Sequence, residues 1–152
     1  MKKALVIDQY DCVREVLQEE LEDEGFNVIG KKDVSAIQEA ISFFKPDLVV
    51  LDFYIDKHER WDVLQNIKRN NPYLPVIIYT GYCGYARDPR MALADGFVIK
   101  SAIFDGIKRT IAAVADRRSS SPEGMEHVER YPAQAPGHDN IELPRLPCPL
   151  VE

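Results

Sequence analysis

Asp47-Leu48-Val49-Val50-Leu51-Asp52 sets four uninterrupted apolar residues between two acids. A strand with one face in water alternates apolar and polar side chains, so an unbroken run of four reads as a strand covered on both faces. The pattern recurs upstream at Ala4-Leu5-Val6-Ile7 and downstream at Val76-Ile77-Ile78-Tyr79 and Phe97-Val98-Ile99, with a weaker copy at Asn27-Val28-Ile29-Gly30. Between these runs the apolar residues return at helical spacing: Val13, Val16, Leu17 and Leu21, then Ile37, Ala40, Ile41 and Phe44, then Val63, Leu64 and Ile67. Ile103, Ile107, Ile111 and Val114 mark the last helix. Punctuation agrees with this phasing. Asp11 stands at an N-cap position, Gly25 where the first helix ends, Pro46 after the second, and Asn70-Asn71-Pro72 after the third. Gly81-Tyr82-Cys83-Gly84-Tyr85 leaves residues 85–94 for a short fourth helix. Five short apolar runs alternating with helices make an α/β chain, a doubly wound parallel sheet with helices on both faces.

Composition narrows the function classes. The 152 residues are 45% hydrophobic and 29% charged, which excludes a wholly disordered or collagen-like chain. A net charge of −6 disfavours direct binding to nucleic acid or to an anionic membrane, because both call for a basic footprint. No apolar run approaches the roughly 20 residues that span a bilayer, and Asp8 interrupts the N-terminal apolar stretch too early for a signal peptide. Cys12, Cys83 and Cys148 are odd in number and widely separated, so they are expected to be reduced thiols of a cytoplasmic protein. Six of the ten prolines fall after residue 116, beside Ser119-Ser120-Ser121, in a stretch with no sustained hydrophobic period. Residues 1–117 are therefore expected to form the domain and 118–152 a proline-rich tail, disordered or packed on the surface. Within that tail, Asn140-Ile141-Glu142-Leu143-Pro144-Arg145-Leu146 and Leu150-Val151 carry apolar residues suited to a docking motif.

In open parallel sheets, ligands bind beyond the carboxyl ends of the strands, where the strand order reverses. The residues just past those ends are Asp8-Gln9, Asp52, Thr80-Gly81 and Lys100-Ser101. Taken singly, an aspartate there caps a helix, a Thr-Gly pair makes a turn, and a lysine is solvated. Taken together, two carboxylates, a hydroxyl and an ammonium converge on one edge. That set suits phosphoryl transfer to a carboxylate: an aspartate nucleophile, a hard cation held by carboxylates and a carbonyl, and a fixed positive charge and hydrogen-bond donor for the phosphoryl oxygens.

These segments resemble the receiver domain of two-component response regulators. The resemblance is carried, in family order, by Leu5-Val6-Ile7-Asp8 with Arg14, by Pro46-Asp47-Leu48-Val49-Val50-Leu51-Asp52, by Pro75-Val76-Ile77-Ile78-Tyr79-Thr80-Gly81 and by Asp95-Gly96-Phe97-Val98-Ile99-Lys100-Ser101. It implies a flavodoxin-like sheet of strand order 2-1-3-4-5 with five helices. It implies that Asp52 is the phosphoacceptor, served by a sensor histidine kinase or phosphotransfer protein. It implies a Mg²⁺ site formed by Asp8, Asp52 and the backbone carbonyl of Tyr54, with Gln9 as a further candidate. Thr80 and Lys100 would sense the phosphoryl group, and Thr80 with Phe97 would form the switch. The signal would pass to a downstream protein, or to a second copy of the chain, through the face made by the fourth helix, fifth strand and fifth helix.

Four departures from the family pattern stand out. Gln9 replaces the usual second acid and removes one negative charge near the cation, which weakens Mg²⁺ binding. In the loop after Asp52, Asp56 stands for the usual proline and Arg60 for glycine; Tyr54 there is placed to shield an aspartyl phosphate from water. His58 is read as a solvated loop residue and Trp61 as packing at the start of the third helix. The stretch between Thr80 and Phe97 is short, which alters the output face and leaves Tyr82 and Tyr85 exposed. Ser101 follows Lys100 where many members have proline. The leading expectation is a single-domain phosphoacceptor that signals by protein contact, since the 36 residues after 116 are too few and too proline-rich for a DNA-binding domain. The alternative is a degenerate receiver acting as a phosphorylation-independent binding module. A hydrolase and a flavin-binding protein are disfavoured by the short loops and by the lack of a Ser/Thr-rich loop after the first strand.

Overall fold

The computed structural model describes residues 1–119. Five parallel strands form one sheet: β1 (Lys2–Ile7), β2 (Phe26–Lys31), β3 (Leu48–Leu51), β6 (Val76–Thr80) and β7 (Gly96–Ile99), in the order β2-β1-β3-β6-β7. The helices are α1 (Asp11–Asp23), α2 (Ile37–Phe44), α3 (Trp61–Asn70) and α4 (Asp105–Ser119). The expected order 2-1-3-4-5 is thus present; the two extra strand numbers belong to β4 (Tyr54–Ile55) and β5 (His58–Glu59), an antiparallel hairpin outside the main sheet.

Side chains alternate across a strand, and that alternation divides the apolar runs between two cores. Leu5, Ile7, Val49, Leu51, Val76 and Ile78 face α2 and α3, where Ile37, Ile41, Phe44, Val63, Leu64 and Ile67 meet them. Ala4, Val6, Leu48, Val50, Ile77 and Tyr79 face the other way, onto Leu17 and Leu21 of α1 and Ile107, Ile111 and Val114 of α4. Each fully buried Leu or Ile contributes about 1.5–3 kcal/mol over its exposed state, so both faces hold the sheet in place. α4 packs closely over Gly96: a Cβ there would lie 2.6 Å from the Thr110 methyl carbon.

The structure corrects several local expectations. Asp11 is the first helical residue of α1; Tyr10 is the capping residue, and no side chain caps that end. The expected helix over 85–94 is replaced by two short 3₁₀ turns, Cys83–Arg87 and Pro89–Leu93. Pro89 explains the break, because its ring disfavours the α conformation at the preceding residue, and Asp88 is extended at ψ 126°. Asp88 instead accepts a hydrogen bond from the Arg90 amide and starts the second turn. The chain therefore has four α-helices in the described region where five were expected. Ile103 lies outside α4 and is 70% exposed, held in a turn by the Ser101 hydroxyl. Cys12 and Cys83 are exposed. Among the described residues no helix is long and apolar enough to cross a membrane. Cys148 and most of the expected tail, from residue 120 onward, lie outside the described residues.

Candidate functional site

Strand pairing brings the predicted residues together. Ile7 pairs with Leu51 and Leu51 with Ile78, so the next residues, Asp8 and Asp52, leave neighbouring strands side by side. Thr80 ends β6 and pairs with Ile99, the residue before Lys100. The Asp52 amide donates to the Ile7 carbonyl at 2.8 Å and the Lys100 amide to the Thr80 carbonyl at 2.8 Å, which carries the ladder one step past the strand ends.

Asp8 is 1% exposed, Asp52 4% and Thr80 0%. The Lys100 ammonium reaches over the sheet edge between the two carboxylates, 2.5 Å from Asp8 Oδ2 and 3.3 Å from Asp52 Oδ2. Two buried anions share one cation, and the cluster keeps a net negative charge. Burial pushes the Asp52 carboxyl up from its ordinary 3.8 to about 6; the Lys100 ammonium opposes this and Asp8 adds to it. Backbone amides orient both acids: Tyr10 N–H donates to Asp8 Oδ1 at 2.9 Å, and Tyr54 N–H to Asp52 Oδ1 at 3.3 Å. Arg14, singled out in the sequence, donates to the Asp8 carbonyl at 2.6 Å and so braces the backbone of the same loop. Tyr79 lies beneath, its phenol pushed up to about 12 by burial and by Asp8, and it stays neutral.

The remaining predicted residues fall around this cluster. The Thr80 hydroxyl accepts a hydrogen bond from the Tyr82 amide at 3.3 Å. Phe97 is half-buried against the core that contains Phe53. The Gln9 side-chain oxygen faces the Asp56 amide, 3.3 Å away. His58 is exposed in the hairpin, with Nδ1 2.5 Å from the Asp56 carbonyl oxygen. Trp61 begins α3, as expected. Of the two tyrosines expected to be exposed, Tyr82 is 52% exposed, whereas Tyr85 is half-buried.

An aromatic cluster absent from the sequence reading joins the loop after Asp52 to the 3₁₀ turns. Phe53, fully buried, meets the Trp61 ring edge-on at 4.4 Å and the Tyr85 ring at 4.9 Å. The Tyr54 and Tyr82 rings are 5.0 Å apart, and the Arg90 guanidinium lies 4.0 Å over the Trp61 ring. The Glu59 carboxylate accepts from the Trp61 indole N–H at 3.0 Å, and burial together with that carboxylate pushes the Tyr85 phenol above its ordinary range. A 3₁₀ turn has poor internal hydrogen bonding, so these side-chain contacts do much to hold the segment that stands in for a helix. The only sequence signal for the cluster is the density of aromatics at 53, 54, 61, 82 and 85.

The donor set defines which cation could be held here. Among the described residues no group of three or more His, Cys, Asp or Glu gathers into an all-protein metal cage. Two buried carboxylates with a net negative charge fit Mg²⁺, which is commonly bound by one or two carboxylates with water completing its shell.

The model of the response regulator receiver domain matches residues 4–112. Among curated proteins, a protein-glutamate methylesterase/protein-glutamine glutaminase of Halobacterium salinarum is 24% identical over 99% of this chain and 46% of its own length. The alkaline phosphatase synthesis transcriptional regulatory protein PhoP of Bacillus subtilis is 30% identical over 52% of this chain and 33% of its own length. The chain spans less than half the length of these relatives. Among solved structures, the response regulator TrrA of Thermotoga maritima, in complex with Mg²⁺-BeF, superposes with a TM-score of 0.70 at 29% identity, covering 75% of this chain and 99% of that one. A complex of TrrA with the histidine kinase ThkA gives 0.65 at 30% identity, over 75% of this chain and 98% of the other.

Proposed function

The chain belongs to the response regulator receiver domain family, and from that premise we propose that it is a phosphoacceptor switch of two-component signalling with Asp52 as the acceptor. An Asp52 carboxylate oxygen attacks the phosphorus of a phosphohistidine on a sensor histidine kinase or phosphotransfer protein. The new O–P bond forms as the N–P bond breaks, and the imidazole leaves with the electron pair and takes up a proton. The observation that carries this reading is the position of Lys100, whose ammonium already spans Asp8 and Asp52 and is placed to meet a phosphoryl oxygen. Asp8, Asp52 and the Tyr54 carbonyl would hold Mg²⁺, which would neutralise charge on the phosphoryl oxygens. Thr80 is the hydroxyl at the same edge; turning its proton toward the phosphoryl group still leaves its oxygen free to accept the Tyr82 amide. With Asp52 about half-protonated near pH 6, the acceptor is mostly ionised at pH 7.

Output is proposed to pass to a downstream protein, or to a second copy of the chain, through the face formed by the 3₁₀ turns, β7 and α4. Thr80 ends β6 at the site edge and Phe97 is half-buried in β7, a strand of that face, which supports them as the switch pair. A second reading, binding without phosphorylation, draws on Gln9: the site has one acid fewer than the family pattern, and Lys100 already supplies a cation. Exposure to Mg²⁺ and a small-molecule phosphodonor, followed by intact-mass measurement, separates the two. The phosphoacceptor reading expects the added mass of one phosphoryl group, absent from Asp52→Asn. An adduct that persists in Asp52→Asn removes Asp52 as the acceptor, and no adduct in the unmodified chain favours the binding module.

A further inference from the structure

The hairpin β4–β5 stands directly after Asp52, and its conformation is an unfavourable one. Its turn residues Asp56 and Lys57 both have positive φ, 54° and 62°. A two-residue hairpin turn requires this left-handed region at both positions; aspartate tolerates it, whereas Lys57 is held there at a cost that the surrounding contacts offset. The base of the hairpin is secured. The Arg60 amide donates to the Phe53 carbonyl at 2.9 Å, Ile55 is fully buried in the core, and Glu59 is tied to Trp61. At its tip the Asp56 amide donates to Gln9 Oε1 at 3.3 Å, a link across 47 residues of sequence. The same hairpin begins with Tyr54, whose amide orients Asp52 Oδ1 at 3.3 Å. A continuous path therefore runs from Gln9 through the Asp56 amide and the hairpin ladder to the carboxylate of Asp52.

We propose that Gln9 is a positioning residue: by clasping the hairpin it sets the orientation of the Asp52 carboxylate and of the Tyr54 carbonyl, instead of ligating a cation itself. The chemistry of the side chain suits this. An amide oxygen accepts a hydrogen bond from the Asp56 N–H without adding a charge to the acidic edge. The inference rests on the reading of Asp52 as phosphoacceptor.

Two variants test it, Gln9→Ala and Gln9→Glu, with Asp8→Asn as the comparison for a lost ligand. Three quantities are measured: hydrogen exchange at the Asp56 amide, Mg²⁺ affinity by titration of the fluorescence of Trp61, and the rate of labelling by a small-molecule phosphodonor at saturating Mg²⁺. For Gln9→Ala the expected result is several-fold faster exchange at Asp56 and slower labelling even at saturating Mg²⁺, with a smaller loss of Mg²⁺ affinity than Asp8→Asn shows. Gln9→Glu, which keeps an oxygen acceptor, is expected to restore protection of the Asp56 amide and most of the labelling rate. Unchanged exchange in Gln9→Ala, with Mg²⁺ affinity lowered as far as in Asp8→Asn, would overturn the proposal and make Gln9 a ligand. Unchanged exchange and unchanged labelling would overturn it as well. A native chain that takes no label removes the phosphoacceptor reading and the positioning role together; normal labelling with unaltered exchange in Gln9→Ala removes the positioning role alone.

Discussion

The ammonium of Lys100 and the carboxylate of Asp8, 92 positions apart in sequence, meet at 2.5 Å with the carboxylate all but sealed from water. Removing one member of a buried pair leaves the other charge uncompensated, and here two carboxylates depend on one lysine. Lys100→Met is therefore expected to destabilise the Mg²⁺-free chain at pH 7 by about 2–4 kcal/mol, below the full buried-pair cost because the lysine side chain keeps 20% exposure. Denaturant titration with and without Mg²⁺ checks this, and added Mg²⁺ should recover part of the loss. A Lys100→Met variant as stable as the native chain would show that the two acids do not rely on the lysine.

Asp52 makes stability depend on pH in a defined window. Its carboxyl titrates at about 6 in the folded chain, against 3.8 as the ordinary value. Between those values the folded state holds a proton that the unfolded state has released, so stability falls as pH rises from 4 to 6 and levels off above. The fall is about 2–3 kcal/mol at most. Asp52→Asn should remove that slope and, in Mg²⁺-free buffer at pH 7, stabilise the fold by a similar amount. Denaturation series across this range, on both chains, provide the measurement.

Tyr54 and Tyr82 place their rings 5.0 Å apart beside the acceptor edge. If the Tyr54 ring shields the acyl phosphate from water, Tyr54→Ala shortens the lifetime of labelled protein several-fold, and Tyr82→Ala does so to a smaller extent by loosening its partner. Loss of label is followed by intact mass after removal of the phosphodonor. Equal lifetimes in all three chains would remove the shielding role.

Gly96 is required by packing. A methyl group there meets the Thr110 side chain at 2.6 Å, so Gly96→Ala is expected to cost about 1–3 kcal/mol through overpacking. The second change Thr110→Ser removes the opposing methyl and should recover much of that loss, a non-additivity that a double-mutant cycle reads directly.

The sheet and its two cores were legible because burial on both faces leaves unbroken apolar runs, and because helical spacing separates them. Asp8, Asp52, Thr80 and Lys100 were legible for a topological reason: all parallel strands deliver their last residues to one edge. The hairpin after Asp52 was not. Asp56-Lys57 lacks the glycine that usually marks a left-handed hairpin turn, and the contact at its tip comes from Gln9, 47 residues away. The helix expected over 85–94 is absent because the ring of Pro89 breaks the segment into two 3₁₀ turns, although the flanking elements leave room for a helix. The aromatic cluster was hidden because Phe53, Trp61 and Tyr85 belong to separate loops whose approach no local pattern records.

Local patterning was sufficient to commit this chain to a parallel α/β sheet and to name the acids, hydroxyl and lysine at its carboxyl edge. Tertiary structure alone decided how the charges are shared, with one ammonium between two buried carboxylates, and alone turned Gln9 toward the hairpin. Strand identity follows from the burial of neighbouring residues, which a run of side chains encodes directly. The pairing of charges and the bending of a loop depend on distances between distant segments, and those distances exist only once the sheet has assembled.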